Sequence, residues 1–152
     1  MQAIAQTNFE GLKLFRRGKV RDVYDLGDAL LIVATDRLSA FDVVLPDPIP
    51  MKGTVLTQIS RFWFDETTHI TANHCISTNV DEYPEDCAPY AEQLAGRSML
   101  VTKTKPLAIE CVVRGYLTGS GLKEYNRTQS VCAIPLGAGL VDGSILPEPL
   151  FT

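Results

Sequence analysis

The segment that most constrains the fold is KVRDVYDLGDALLIVAT, residues 19–35, which has the pattern of a β-hairpin. Residues 19–26 alternate in polarity, with Asp22 as the exception on the otherwise apolar face. Gly27-Asp28 is a turn signal, and the apolar run after it is typical of a buried central strand. With a weaker strand pattern at residues 12–15, the N-terminal part is predicted to form a three-stranded antiparallel meander.

Helical patterns follow the meander. A helix is predicted to begin near Thr54, and Ser120 is predicted to cap a short helix that ends near Arg127. After Thr54, apolar residues recur at spacings of three and four, so we expect the stripe Val55, Leu56, Ile59, Phe62 and Trp63 to pack into a core. Two strands are predicted at residues 98–104 and 107–113, whereas the glycine- and proline-rich tail has no strong period.

Composition bounds the class of protein. The 152 residues suit one domain or two small subdomains, and the net charge of −4 gives no electrostatic argument for nucleic acid or a membrane surface as partner. Neither a secretory signal nor a run long enough to span a membrane is recognisable, so a cytoplasmic location is expected. The four cysteines lack metal-ligand spacing, and Cys111, inside an apolar run, is predicted to be buried. We predict no metal ligands.

The stretch RRGKVRDVY, residues 16–24, is a candidate polyphosphate site. Gly18 lets the backbone approach a ligand, Lys19 and Arg21 point the same way, and Val23 would cover a flat apolar group such as a base. A plain hairpin with solvated basic residues explains the same pattern, and both interpretations stay open.

A second anion-site pattern is VVRGYLTGSGLKEY, residues 112–125. Its apolar run contains Arg114, and Gly119-Ser120-Gly121 then opens a helix whose first N–H groups are unpaired. The alternative is an ordinary capped helix with Arg114 paired to a nearby acid.

Two further motifs have weaker signals. In DRLSAFD, residues 36–42, the acids that flank Ser39 suit an amine, a hydroxyl or magnesium, but Asp and Ser are also common in turns. Lys52-Gly53 precedes the first helix and is either another helix-start anion site or a plain connection.

Taken together, these motifs resemble one family. GKVRDVY, DRLSAFD, KGTVLTQIS, ECVVRGYLTGSG and LPEPLFT occur in that order, as they do in SAICAR synthetases, the phosphoribosylaminoimidazole-succinocarboxamide synthases of purine biosynthesis. The resemblance implies an α+β fold related to protein kinases and ATP-grasp enzymes. An antiparallel N-terminal sheet with a flanking helix would form a nucleotide-covering subdomain, residues 1–106, and residues 107–152 would begin a second α+β domain.

The resemblance also implies chemistry. ATP with Mg²⁺ would activate the carboxylate of carboxyaminoimidazole ribonucleotide, and the amine of L-aspartate would attack it. Gly18, Lys19, Arg21 and Val23 fall in the family's nucleotide loop, and residues 102–107, with Lys103, would lie beside the adenine. Arg114 and Ser120 match positions that hold the ribonucleotide, and Ser39 and Asp42 would line the substrate cleft.

Family members are substantially longer, and their magnesium-binding acids follow the point where this sequence stops. The sequence is therefore expected to be a fragment, a truncated gene product or half of a split enzyme, and our hypothesis is that the isolated chain is inactive. Its exposed apolar surface would favour self-association into a homo-oligomer. The alternative function is a nucleotide- or anion-binding module without catalysis. A small-molecule kinase is weaker, because H-R-D and D-F-G equivalents are missing.

Overall fold

The computed structural model describes residues 3–152. The chain folds as two compact units that divide between Lys105 and Pro106. The first contains a five-stranded sheet and a long helix, and the second contains a two-stranded sheet and a shorter helix. Within the described range, no helix is both long and apolar enough to cross a membrane.

An antiparallel sheet in the order β1-β2-β3-β7-β6 organises the first unit. The strands of this unit are β1 (Lys13–Arg17), β2 (Arg21–Asp25), β3 (Ala29–Ala34), β4 (Ser39–Ala40), β5 (Val43–Val44), β6 (Cys75–Ser77) and β7 (Ser98–Thr102). The predicted meander is confirmed, since β1, β2 and β3 are consecutive neighbours with antiparallel registers. Gly27 makes the β2–β3 turn with a φ of 86°, a conformation that favours glycine.

One face of this sheet covers the core of the first unit. Tyr24, Leu31 and Val33 point into it from β2 and β3, and they are almost fully buried. The polar segment between residues 77 and 97 closes the core from the other side with short 3₁₀ turns and α2 (Ala91–Leu94), which contribute Tyr83, Cys87 and Leu94. A segment without clear periodicity thus supplies much of the packing.

The helix α1 (Lys52–Glu66) lies against the sheet at one point of very close approach. A Cβ atom added to Gly53 would overlap the carbonyl oxygen of Ala34. The Gly53 N–H also donates to Asp36 Oδ1 at 2.9 Å, so the start of this helix is already bound to a carboxylate of the same chain. Lys52-Gly53 is therefore a packing and capping feature, and the structure does not favour an external anion there.

The predicted burial of the α1 stripe is wrong for this chain. Its five apolar residues are 42–58% exposed, and Trp63 is the most exposed of them. The buried residues of α1 are Gly53 and Thr57, because the close approach to β3 requires small side chains. Amphipathicity shows that one face is apolar, but it does not show which neighbour covers that face.

The second unit pairs β8 (Val113–Leu117) with β11 (Ser144–Phe151) and packs α3 (Gly119–Thr128) on a small core. Its other strands are β9 (Ser130–Val131) and β10 (Ile134–Pro135). The core residues are Leu117, Tyr125, Val131, Leu146 and Leu150. The predicted helix is confirmed to within one residue at each end.

Three predictions for the second half are wrong. Residues 107–112 are irregular, and the strand begins only at Val113. The tail contains β11, which two prolines hide from a periodicity analysis; its pairing with β8 is interrupted between Ile145 and Leu150. Cys111 is exposed, because it lies in the irregular stretch and not in a core strand.

We predict that Gly53→Ala strongly destabilises the first unit. The new methyl group would overlap the Ala34 backbone, which cannot move aside as a flexible side chain can. We therefore expect the free energy of unfolding to fall by about 3 kcal/mol, which is at the upper end of the costs of overpacking. Urea unfolding measures it. Gly18→Ala is the matched control, because its Cβ would make an ordinary contact at 3.5 Å. Equal stabilities of the two variants would contradict the close approach.

We also predict an acid-sensitive stability that depends on Asp36. Burial alone would raise the pKa of this carboxyl, but hydrogen bonds from Ile4 and Gly53 and the ion pair with Arg97 outweigh burial and lower it. A lowered folded pKa gives stability that is present above the unfolded pKa of about 4 and is lost as the pH falls through the folded value.

Asp36→Asn should lower the unfolding free energy at pH 7 by about 3–5 kcal/mol, because Arg97 is left buried without its partner. It should also flatten the decline in stability below about pH 5. The measurement is urea unfolding across a pH series, with the exposed turn residue Asp28→Asn as control. A variant with an unchanged pH slope would show that the acid sensitivity arises elsewhere.

Candidate functional site

The loop between β1 and β2, residues 18–20, presents backbone to solvent. The Gly18 N–H donates to the Arg21 carbonyl at 2.8 Å, which closes a tight turn. A Cβ on Gly18 would contact only that carbonyl, at an ordinary 3.5 Å, and φ at this position is not positive. The fold itself therefore does not require glycine here, which leaves access for a ligand as a reason for it.

Lys19 and Asp42, predicted from separate motifs, form an ion pair. Lys19 Nζ lies 2.5 Å from Asp42 Oδ1, and the two side chains are 56% and 88% exposed. The hydrogen bond and the charge of Lys19 hold the pKa of the Asp42 carboxyl below its ordinary value. Because both groups are exposed, the pair contributes little to stability and can exchange partners.

The turn that carries Asp42 is unusual. Strands β4 and β5 are joined by Phe41 and Asp42, which have φ values of 49° and 65°. Two consecutive positive φ angles suit a tight two-residue hairpin, but Asn-Gly is the preferred sequence there. Phe41 is also 99% exposed. Ser39, half-buried, begins β4 on the other side of this turn.

Arg21 and Val23 lie two residues apart on β2, so both face away from the main core. Arg21 lines a cavity of about 240 Å³ between the sheet and α1. The other lining residues are Ile32, Ala34, Leu56, Thr57, Ser60, Phe64, His74 and Met99. The cavity combines an apolar floor with a cation and two hydroxyl groups, which suits an amphiphilic small molecule.

Lys103 lies at the other end of β2. Its Nζ donates to Asp25 Oδ1 at 2.8 Å and to the Gly27 carbonyl at 3.3 Å. This hydrogen bond is the main cause of a lowered pKa at Asp25. A five-residue strand spans about 13 Å, so the structure does not bring Lys103 together with Lys19.

Sequence reasoning missed the buried polar cluster behind the loop. Asp22 is fully buried and accepts hydrogen bonds from the Thr7 N–H and hydroxyl, Arg17 and Arg37. Burial alone would raise the pKa of Asp22, but the Arg37 hydrogen bond, those from Thr7 and the Arg37 charge outweigh it, and the pKa is lowered. The sequence signal that could have indicated this cluster was Asp22 itself, the one polar residue on the otherwise apolar face of residues 19–26.

In the second unit, Arg114 and Ser120 come together as predicted from their separate positions. Arg114 Nη2 lies 3.2 Å from Ser120 Oγ, and Nε lies 3.3 Å from Thr152 Oγ1. The guanidinium also passes close to Gly121, where an added Cβ would be 3.5–3.6 Å from it. No acidic side chain of the described residues pairs with Arg114.

Ser120 is not the N-cap that the sequence predicts. Thr118 occupies that position in an extended conformation, and no side chain caps the helix. Gly119 begins α3 with a φ of 55°, one residue before the predicted start, and the cap position lies two residues before the predicted one. Ser120 instead accepts a hydrogen bond from Arg114, so a cation is held beside the first turn of a ten-residue helix.

Comparison with known proteins assigns both units to one family. The family model for SAICAR synthetase matches residues 14–152. The chain belongs to the SAICAR synthetase family. It is 68% identical over 151 residues to the phosphoribosylaminoimidazole-succinocarboxamide synthase of Desulfosudis oleivorans, and the match covers 99% of this chain and 52% of that protein. The chain thus spans about half the length of the curated relatives it matches.

Solved structures agree with this assignment. The SAICAR synthase of Saccharomyces cerevisiae, solved in complex with SAICAR, is 41% identical with a TM-score of 0.89, over 99% of this chain and 53% of that one. A type-2 SAICAR synthetase in complex with ADP shares the fold, at 24% identity and a TM-score of 0.64, over 90% and 47% of the two chains. The predicted α+β class is confirmed.

Metal ligands are a separate question for a family whose reaction is expected to use magnesium. Within residues 3–152, no three His, Cys, Asp or Glu side chains are grouped so as to hold a metal ion. The acids around the loop are already paired: Asp22 with two arginines, Asp25 with Lys103 and Asp42 with Lys19. The described residues therefore do not form a metal site from protein ligands alone.

Proposed function

We propose that this chain is the nucleotide- and ribonucleotide-binding half of an ATP-dependent ligase that joins L-aspartate to carboxyaminoimidazole ribonucleotide. The observation that carries the proposal is the family match over residues 14–152. Each unit also places a cation beside backbone N–H groups: Lys19 at the loop of residues 18–20, and Arg114 at the start of α3. A ligase of this type needs two anion sites, one for the nucleotide phosphates and one for the ribonucleotide substrate.

The reaction explains why both sites are required. Amide formation from a free carboxylate is uphill, so the substrate carboxylate would first take the terminal phosphoryl group of ATP and form an acyl phosphate and ADP. The aspartate amine would then attack the acyl carbon, lose a proton and displace phosphate. The protein contributes positioning and stabilisation of the developing charge. No step is assigned to a metal held by the described residues.

The proposed nucleotide site lies in the first unit. Lys19 supplies an exposed cation that its carboxylate partner can release, and Gly18 allows the phosphates to approach the backbone. Arg21 and Val23 continue along the same side of β2 and offer a further cation and an apolar contact for the base. Lys103, at the far end of β2, is proposed to lie beside the adenine.

The proposed ribonucleotide site lies in the second unit. Arg114 is bound only to hydroxyl groups among the described residues, so its charge is available to a phosphate or carboxylate. Ser120 orients the guanidinium toward the first turn of α3, whose unpaired N–H groups also favour an anion. Ser39 and Asp42 belong to the first unit and stay predicted substrate contacts.

A binding module without catalysis is the second candidate. The observation that favours it is that the acids near the loop, Asp22 and Asp42, are each paired with a basic residue, and that no three potential metal ligands are grouped among residues 3–152. Turnover by this purified chain alone, with ATP, Mg²⁺ and both substrates, would exclude the module. Binding of ATP without turnover would support it.

We predict that Mg²⁺–ATP binds the chain and that Lys19→Ala weakens this binding. Loss of a charge-assisted contact to phosphate should raise the Kd about 10- to 100-fold. Isothermal titration calorimetry measures it, with Lys13→Ala, at the opposite end of β1, as a charge-matched control. No binding to a well-folded chain would contradict a nucleotide site formed by this half.

We predict that SAICAR, the reaction product, binds the chain through Arg114. Arg114→Ala should weaken binding about 10- to 100-fold, because a charged contact to the ligand anion is lost. Calorimetric titration with SAICAR measures it, and Arg127→Ala in the last turn of α3 is the control with the same charge change. Equal affinities of the two variants would show that Arg114 does not bind the ribonucleotide.

A further inference from the structure

The side chain of Arg37 points toward the loop between β1 and β2, residues 18–20, which we call the glycine loop. Arg37 belongs to DRLSAFD, the motif whose Ser39 and Asp42 were predicted to line the substrate cleft. Nη2 donates to the Gly18 carbonyl at 2.9 Å, and Nε donates to the Lys19 carbonyl at 2.9 Å. Nη1 donates to the Ala5 carbonyl, and the side chain is only 12% exposed. One guanidinium thus fixes two consecutive peptide groups of the loop.

The contact with Arg37 also determines where the N–H groups of the loop point. The N–H of a trans peptide points away from the C=O of the same peptide group, and the described residues contain no cis bond. With the carbonyls of Gly18 and Lys19 directed at Arg37, the N–H groups of Lys19 and Val20 are directed away from it. Neither N–H has an acceptor among residues 3–152.

The guanidinium is itself held in place. Arg37 Nη2 lies 2.8 Å from Asp22 Oδ1, and this fully buried carboxylate is bound in turn to Thr7 and Arg17. A buried, hydrogen-bonded ion pair resists rearrangement, because separating it leaves an uncompensated charge. The direction of the two loop carbonyls is therefore set by the core of the first unit and not by the exposed loop.

We propose that Arg37 is a positioning residue that presents the N–H groups of Lys19 and Val20 to the phosphate oxygens of the nucleotide. The proposal rests on the proposed function of the loop as a nucleotide site. Arg37 does not contact the nucleotide. It acts through two backbone donors, in the way that oriented amides form anion-binding concavities elsewhere. Lys19 then contributes both a side-chain cation and a backbone donor.

The test compares Mg²⁺–ATP with adenosine, which lacks the phosphates. Arg37→Lys keeps a positive charge beside Asp22, but its single nitrogen has about three N–H donors for the four acceptors that the planar guanidinium binds. It should weaken ATP binding about tenfold or more and leave the adenosine affinity unchanged. Titration calorimetry serves for ATP, and ligand-observed NMR serves for adenosine. A general loss of structure would instead weaken both ligands equally and overturn the proposal.

Arg17→Lys is the matched control. Arg17 also binds Asp22 and the Thr7 carbonyl, but it touches neither loop carbonyl, so its variant should keep the ATP affinity of the unaltered chain. Unchanged ATP affinity in Arg37→Lys, when the unaltered chain binds ATP, overturns the positioning role alone. Failure of the unaltered chain to bind ATP overturns the proposed nucleotide site as well.

A second measurement applies if Arg37→Lys does not fold. In the unaltered chain, backbone amide NMR resonances of Lys19 and Val20 should shift downfield when ATP is added, because each N–H gains a charged acceptor. Adenosine should not shift them. Unmoved resonances at these two positions, with shifts elsewhere in the first unit, would overturn the proposal.

Discussion

The buried carboxylate of Asp22 is the interaction on which the first unit depends. Its desolvation is costly, and it is compensated by two arginines and by the N–H and hydroxyl of Thr7. These partners come from three separate parts of the chain: the N-terminal segment, the end of β1 and the DRLSAFD motif. Satisfying one buried charge therefore fixes how these parts meet and, through Arg37, how the glycine loop is oriented.

The two units present positive charge by different physical means. In the first unit, the guanidinium of Arg37 binds two carbonyl oxygens of the glycine loop, so the N–H groups of the same peptides point to the opposite side of the loop. In the second, the guanidinium of Arg114 is itself on the accessible side, and hydroxyl groups of Ser120 and Thr152 orient it. A net charge of −4 is compatible with the two proposed anion sites, because both arrangements would act over a few ångströms.

Secondary structure that depends on local patterns could be predicted from the sequence, whereas burial and long-range contacts, which depend on neighbouring elements, could not. Alternation and Gly27 were enough for the meander, and Gly119-Ser120-Gly121, which form the first turn of α3, were enough to locate that helix. The exposure of Trp63 and of Cys111 could not be predicted, because an apolar pattern does not specify its covering partner. The role of Arg37 was hidden for a related reason: nothing in DRLSAFD indicates that its arginine reaches a loop 18 residues earlier.

Solvent exposure divides the cations near the loop into two groups with different roles. Lys19 and Asp42 are both more than half exposed, so exchanging the carboxylate for a phosphate costs little. Arg37 and Asp22 are 12% and 0% exposed, and separating them would leave a charge buried without a partner. In the proposed nucleotide site, a nucleotide would therefore recruit Lys19, whereas Arg37 would stay bound to the core. The same motif, DRLSAFD, supplies Asp42, the exchangeable partner of Lys19, and Arg37, the fixed cation.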